Sequence, residues 1–417
     1  MKERLLFKFK RLRGVFNQWG GITATYFAYT HGSHDQCAGL LVALLPFIRT
    51  DLGLSYMQSG LLLSAYTITA GASQFLGGWL GDRASRYLVI AIGLCGVGSA
   101  ALAIGLSSAF YPMLAILVIM GIFAGAYHPS ATSMISGYFE EARMGKAIAV
   151  HMLGGSVGFA MGPILGGIIA SALGWRFAYI LLCIPTLPAI LVALKKFKQW
   201  EHRSSDEPIT DATMTDNGLA EVMPGRLNLI QVLRPIAFVT ILAILTQLIA
   251  GSAIAFIPLY LVDKYDIAPA YAAMSMGTIR GGGIAGSLLG GWLSDRWERK
   301  NAIALAFVAT GPLLFLLTKL PISLGLMVVF IIFGLFMQMR QSTVQPFLMD
   351  STPQYLRATV FGIYFGLSME GQSLLQPAVG YLIDTFGVID IFHVIAFISI
   401  ALSLAALLLI KRPKLRR

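Results

Sequence analysis

The chain has 417 residues, of which 56% are hydrophobic and only 12% charged, about half the charged share of an ordinary soluble domain. Apolar stretches of about 20 residues recur along its whole length and read as membrane spans. That excludes a disordered chain, a secreted disulfide scaffold and a typical water-soluble enzyme, and it leaves a polytopic helical membrane protein.

The first thirteen residues carry six Lys and Arg and lead into a long apolar segment with no small-residue cleavage site. They are expected to form a retained basic tail rather than a signal peptide. Apolar runs between charged or Pro/Gly-rich breaks then predict twelve helices, near 19–48, 56–81, 87–107, 111–137, 143–171, 175–196, 229–262, 270–294, 301–318, 321–349, 357–384 and 388–410. The polar stretch 197–228 reads as a linker. The expected organisation is a six-helix bundle over 1–196, the linker, and a second six-helix bundle over 229–417. Cys37, Cys95 and Cys183 all sit inside apolar stretches, which argues against a disulfide framework or a zinc site.

Of the 31 Lys and Arg, 25 fall on the termini and on loops that follow even-numbered helices. The other loops hold Arg49, Arg176, Lys264 and Lys319, and the spans themselves hold Arg280 and Arg340. Because the basic side faces the cytoplasm, both termini and the linker are expected there. This placement explains the net charge of +11 without a nucleic-acid partner.

The two halves repeat each other. Gly77-Gly78-Trp79-Leu80-Gly81-Asp82-Arg83-Ala84-Ser85-Arg86 returns 213 residues later as Gly290-Gly291-Trp292-Leu293-Ser294-Asp295-Arg296-Trp297-Glu298-Arg299. At an offset of 214, Arg143 matches Arg357 and Pro163-Ile164-Leu165-Gly166 matches Pro377-Ala378-Val379-Gly380. Parallel six-helix repeats place a binding site between the halves near the bilayer midplane.

On these residues the chain resembles the major facilitator superfamily over its full length. Gly78, Asp82, Arg83 and Arg86 fit that superfamily's loop motif, with departures at Ser85 and Tyr87. Gly291, Asp295, Arg296, Arg299 and Lys300 fit its second copy, with a departure at Glu298. Gly158, Gly162, Pro163, Gly166 and Gly167 match the helix-5 motif of proton-coupled antiporters, where glycines allow close packing and the proline bends the helix. His31, Asp35 and Pro46, with Tyr127-His128-Pro129, resemble the fosmidomycin-resistance branch of bacterial drug exporters, from which Ser130 departs. The resemblance implies that Asp82, Arg83, Arg86, Asp295, Arg296 and Arg299 act in a cytoplasmic gate. It also implies a cavity lined by helices 1, 4, 7 and 10.

An ionisable side chain inside a span costs at least ~2.5–3.5 kcal/mol, so it faces a cavity or a partner. Asp35 is the first proton-carrier candidate, since desolvation disfavours its ionised form; the alternative is an ion pair with a cavity arginine. His31, one turn away, can relay the proton, and Glu370 is the second carrier candidate. Expected substrate contacts are His34, Tyr127, His128, Gln247, Gln338, Arg340, Gln341 and Gln345. Arg340 suits an anionic or carbonyl-rich cargo through its planar fork, or else a fixed salt bridge to Asp35 or Glu370. Arg280, among glycines, is expected to pair across helices, with Glu370 as the nearest suggestion, while His151 and His393 read as structural. No metal site and no cofactor is assigned.

The expected function is proton-coupled efflux of a small organic, drug-like or anionic compound by alternating access, in a monomer spanning a bacterial-type inner membrane. A P-loop and a zinc-helix signature are both missing from the sequence, so neither direct ATP coupling nor enzymatic activity is expected. Alternatives that use similar residues are a proton symporter importing an organic acid or nutrient, metal-ion transport, and a non-transporting membrane sensor.

Overall fold

The computed structural model describes residues 14, 16–201, 229–297, 299–353, 356, 360, 363–364 and 366–411, without the side chains of Asp82, Glu141, Ala142, Leu229, Met369, Glu370, Leu409, Ile410 and Lys411. The basic segment 1–13, the linker from residue 202 onward, Arg357 and the Glu370 carboxylate therefore lie outside the described residues. Among the described residues every regular element is a helix, and they group into twelve successive spans. In chain order α1 comprises Gly21–Ala38 and Leu40–Leu52, α2 Tyr56–Arg83, α3 Arg86–Gly105, α4 Phe110–Tyr138 and α5 Glu141–Leu173. The sixth span, α6, joins Trp175–Leu182, Thr186–Val192 and the π-helical Ala193–Phe197. Then follow α7 Leu229–Tyr265, α8 Pro269–Arg296, α9 Arg299–Lys319 and α10 Leu324–Ser351. Finally α11 runs from a π-helical Gly366–Glu370 through Gly371–Phe386, and α12 is Val388–Lys411.

Eight of these (α3 to α7, α9, α10 and α12) contain an 18-residue window of mean hydropathy between 1.7 and 2.5. The other four carry more small and polar residues along their length. Large apolar side chains such as Phe75, Tyr111 and Leu324 stand exposed on the outside, which suits hydrocarbon and not water. The bend in α1 falls at Gly39, whose N–H donates to the Asp35 carbonyl at 2.9 Å. A Cβ there would sit 3.3 Å from the Phe159 carbonyl. At the start of α2, Ser55 forms a capping box with Gln58, each side chain bonding the other's backbone N–H, at 3.1 and 2.9 Å.

The repeat read from sequence recurs in the packing. A Cβ on Gly77 would meet Ala126 Cα at 2.5 Å, and one on Gly290 would meet Met339 Cα at 3.0 Å, with both partners 213 residues apart. Likewise Gly98 abuts Thr186 between α3 and α6, as Gly311 abuts Ser399 between α9 and α12. Trp79 stacks on Arg83 as Trp292 stacks on Arg296. Equivalent residues thus make equivalent contacts in two pseudo-symmetric six-helix sets.

Compact packing units follow a different partition from the repeat. One comprises Met1–His202, Ile254–Gly281 and Ser373–Ile391; the other comprises Arg203–Ala253, Gly282–Gln372 and Phe392–Arg417. Polar contacts explain why pieces of α7 and α11 join the first six helices. Asp384 on α11 accepts from the Tyr56 and Met57 N–H groups at 2.9 and 2.8 Å, capping α2. Arg49 pairs with Asp263 of α7 at 3.0 Å and lies over the Tyr56 ring, whose hydroxyl donates to the same carboxylate.

Candidate functional site

The site is built on the seam between α1 and α5. Gly154, Gly158 and Gly162 recur every fourth residue on α5, and a Cβ on each would lie 2.2, 2.1 and 2.6 Å from the carbonyls of Ala28, Gly32 and Gln36. Backbones this close need glycine. The seam places His31 against α5: its ring stacks on His151 with centroids 4.1 Å apart, in space that a side chain at Gly155 would fill. Gly166 continues the seam against Leu40, while Gly167 faces Ala270 and Ala273 of α8. Pro163 stands inside a continuous helix.

Around Asp35 four rings converge. His31 Nε2 lies 3.2 Å from Asp35 Oδ2, His34 Nδ1 2.7 Å from Oδ1, and His128 Nε2 3.9 Å from Oδ1. His34 stacks on Tyr127 at 4.7 Å, and the Tyr127 hydroxyl shares a hydrogen bond with Thr30 at 2.9 Å. A ring nitrogen of His31, one of His128 and a carboxylate oxygen of Asp35 all lie within 4.8 Å of one another, close enough to surround one cation. His31 and His34 are buried, whereas the His128 side chain is 39% exposed and Asp35 14%, so the cluster opens on the His128 side.

Hydrogen-bond bookkeeping fixes the protons. His31 Nδ1 lies 2.9 Å from the His151 carbonyl, which only accepts, so Nδ1 carries a proton. Its Nε2 then faces the Asp35 carboxylate at 3.2 Å, a contact that a proton on either group would turn into a hydrogen bond. His34 Nδ1 donates to Asp35 in the same way, leaving a buried His34 Nε2 with no hydrogen-bond partner. His151 Nδ1 donates to the Phe27 carbonyl at 3.1 Å. Sequence reasoning treated His151 as structural and missed its place beside His31. The readable signal is His151 and Gly155 spaced four apart, one helical turn, so that both face α1.

The remaining residues expected at a site fall elsewhere. In the other packing unit Arg340 is fully buried, donates from Nη1 to the Ala243 carbonyl at 3.0 Å and from Nη2 to Gln247, and lies over Phe307. Arginine only donates, so Gln247 presents its oxygen to it and its nitrogen to Gln372 Oε1, at 2.8 Å. Gln338 donates to Gln341 at 2.8 Å, and Gln345 is half-buried. Arg280 rests on the Phe159 ring, guanidinium carbon 4.4 Å from the centroid. That contact was not foreseen, and Phe159 carried no sequence signal.

At the helix ends Arg83, Asp295 and Arg296 are exposed, and Arg299 pairs with Asp350 at 2.8 Å. The Arg86 N–H donates to Glu201 at 2.7 Å. His393 contacts Lys319 at 3.3 Å.

The sequence profile of the Major Facilitator Superfamily matches residues 30–371. The chain is 21% identical to the fosmidomycin resistance protein of Escherichia coli (strain K12) over 374 residues, covering 89% of this chain and 88% of that one. It is 24% identical to a probable sulfoacetate transporter of Cupriavidus necator over 370 residues, 83% of each. Its fold matches the crystal structure of the nucleoside transporter NupG with a TM-score of 0.73 at 14% identity, covering 94% of this chain and 99% of that one.

Proposed function

This chain belongs to the Major Facilitator Superfamily and is a multi-pass membrane transporter of small molecules, not an enzyme; from that premise we propose that it exchanges protons for a small organic compound, drug-like or anionic, and moves that compound outward by alternating access. Both termini lie in the cytoplasm on this reading, as the Lys and Arg bias indicates, and the monomer in a bacterial-type inner membrane is the working unit.

The observation that carries the proposal is the 3.2 Å contact between His31 Nε2 and the Asp35 carboxylate, with His31 Nδ1 already committed to the His151 carbonyl. A carboxylate and an imidazole in contact at membrane depth are net neutral with a shared proton and net negative without it, so loading a proton removes a buried charge and release needs water or a nearby cation. His128, more exposed than its neighbours, is the group through which water reaches the pair. His34 and Tyr127 hold the carboxylate in register, while Gln338, Gln341 and Gln345 offer amides to a cargo. Gate opening at the cytoplasmic end is assigned to Arg83, Arg86, Asp295, Arg296 and Arg299 with Asp82.

The test uses proteoliposomes containing a pH dye, with fosmidomycin, the compound in a relative's name, as the probe. Imposed proton gradients should drive its accumulation in wild type, and Asp35→Asn should abolish that flux while binding persists. Undiminished flux in Asp35→Asn would remove Asp35 from the scheme. A second reading, proton symport of an organic acid, has the sulfoacetate transporter relative in its favour. The sign of the gradient that concentrates the probe separates the two.

A further inference from the structure

We propose that Arg280, seated on the Phe159 ring, is the anion-binding group of the translocation site, and that the cargo class is an organic anion: a carboxylate, phosphonate or sulfonate. The proposal rests on the transporter reading above but not on the proton role of Asp35.

Arg280 lies eleven residues into α8, ~17 Å along the helix, well inside the span. A guanidinium at that depth is expensive unless it meets water, a partner or a ligand. Its environment is not lipid. Gly277, one turn earlier, packs on Ile164 and on the Ala160 carbonyl of α5, so this face of α8 looks toward α5. The head group then lands on Phe159, beside the α1 bend at Gly39.

Even so, the Arg280 side chain remains exposed. Among the described residues no hydrogen bond or ion pair engages it; Asp35 acts on it only as a charge at a distance. Contact with a ring face holds the guanidinium in place without consuming any of its five N–H donors. The result is a fixed, accessible fork whose donors meet no acceptor among the described residues, which suits two oxygens of a carboxylate, phosphonate or sulfonate. Arg340 is its opposite: buried, with two donor nitrogens committed to Ala243 and Gln247. Of the two arginines, Arg280 is the one whose donors meet no acceptor among the described residues.

The full-length protein in nanodiscs tests this by calorimetric titration with fosmidomycin, sulfoacetate and benzoate, each beside its neutral ester. Wild type should bind at least one anion about tenfold or more tightly than its ester, a difference near 1.4 kcal/mol. Arg280→Ala should erase that preference, Arg280→Lys should retain part of it, and Phe159→Leu should reduce it. Wild type without anion preference, or Arg280→Ala with the preference intact, would overturn the assignment. Loss of the preference in Arg280→Ala together with unaltered proton-driven flux in Asp35→Asn would sink the proton reading and leave this one standing.

Discussion

Replacing Gly158 by alanine tests whether the α1–α5 seam is as close as the structure has it. The new Cβ would sit 2.1 Å from the Gly32 carbonyl oxygen and 2.7 Å from the Gly32 carbonyl carbon, all backbone atoms that cannot rotate away. Ordinary contact begins at 3.4 Å, so the helices must part by ~1 Å. They cannot do so at one point, because Gly154 and Gly162 hold the same distance one turn to either side. Forced overpacking costs about 1–3 kcal/mol. The 2.9 Å bond from His31 Nδ1 to the His151 carbonyl crosses the same seam, and losing it costs about 1 kcal/mol more. Alanine's helix preference over glycine returns up to ~1 kcal/mol, leaving a net destabilisation of about 1–3 kcal/mol. Gly145 supplies the control, since it lies on the same helix with nothing within 4 Å of a Cβ. Gly145→Ala should be neutral or gain up to ~1 kcal/mol. Thermal unfolding of the two variants in detergent, with proton-driven flux in parallel, gives the comparison. Should Gly158→Ala unfold at the same temperature as Gly145→Ala and transport normally, the close seam and its link to His31 would both be wrong.

Two further outcomes follow from contacts remote from the seam. Asp384→Ala removes the carboxylate that caps the start of α2 and should cost about 1 kcal/mol; Asp384→Asn, which keeps one acceptor oxygen, should cost less, and equal losses in denaturant titrations would rule out capping. Arg340→Ala deletes a buried side chain and its two bonds to α7, so it should lower stability by about 2 kcal/mol or more; a variant as stable as wild type but weakened only toward anions would return Arg340 to the cargo site.

The helices were legible because hydrocarbon demands long apolar runs, and the twelve spans fall where those runs do, with the ends shifted by a few residues in most. The first is an exception, since apolar continuity concealed its bend at Gly39 and its extension to Leu52. The cluster on α1 was readable too, because His31, His34 and Asp35 are neighbours on one helix and spacings of three and four bring them together. Contacts made by tertiary structure were not. Asp384 and Tyr56 are 328 residues apart, and nothing local distinguishes a carboxylate that caps a distant helix from one that marks a loop. Arg280 stands among glycines and Arg340 among amides, and each lies over an aromatic ring. What separates them is the carbonyl and amide acceptors that engage Arg340, contacts no local pattern reveals.

The same glycines that allow α1 and α5 to touch also decide what the site can hold. Gly155 leaves room for the His31 ring, and the short distance between backbones lets the His151 carbonyl reach Nδ1. That bond orients the ring so that the other nitrogen faces Asp35 at 3.2 Å. On the proposed proton reading the seam and the pair are linked, since a shift of α5 along α1 would take the acceptor away from Nδ1.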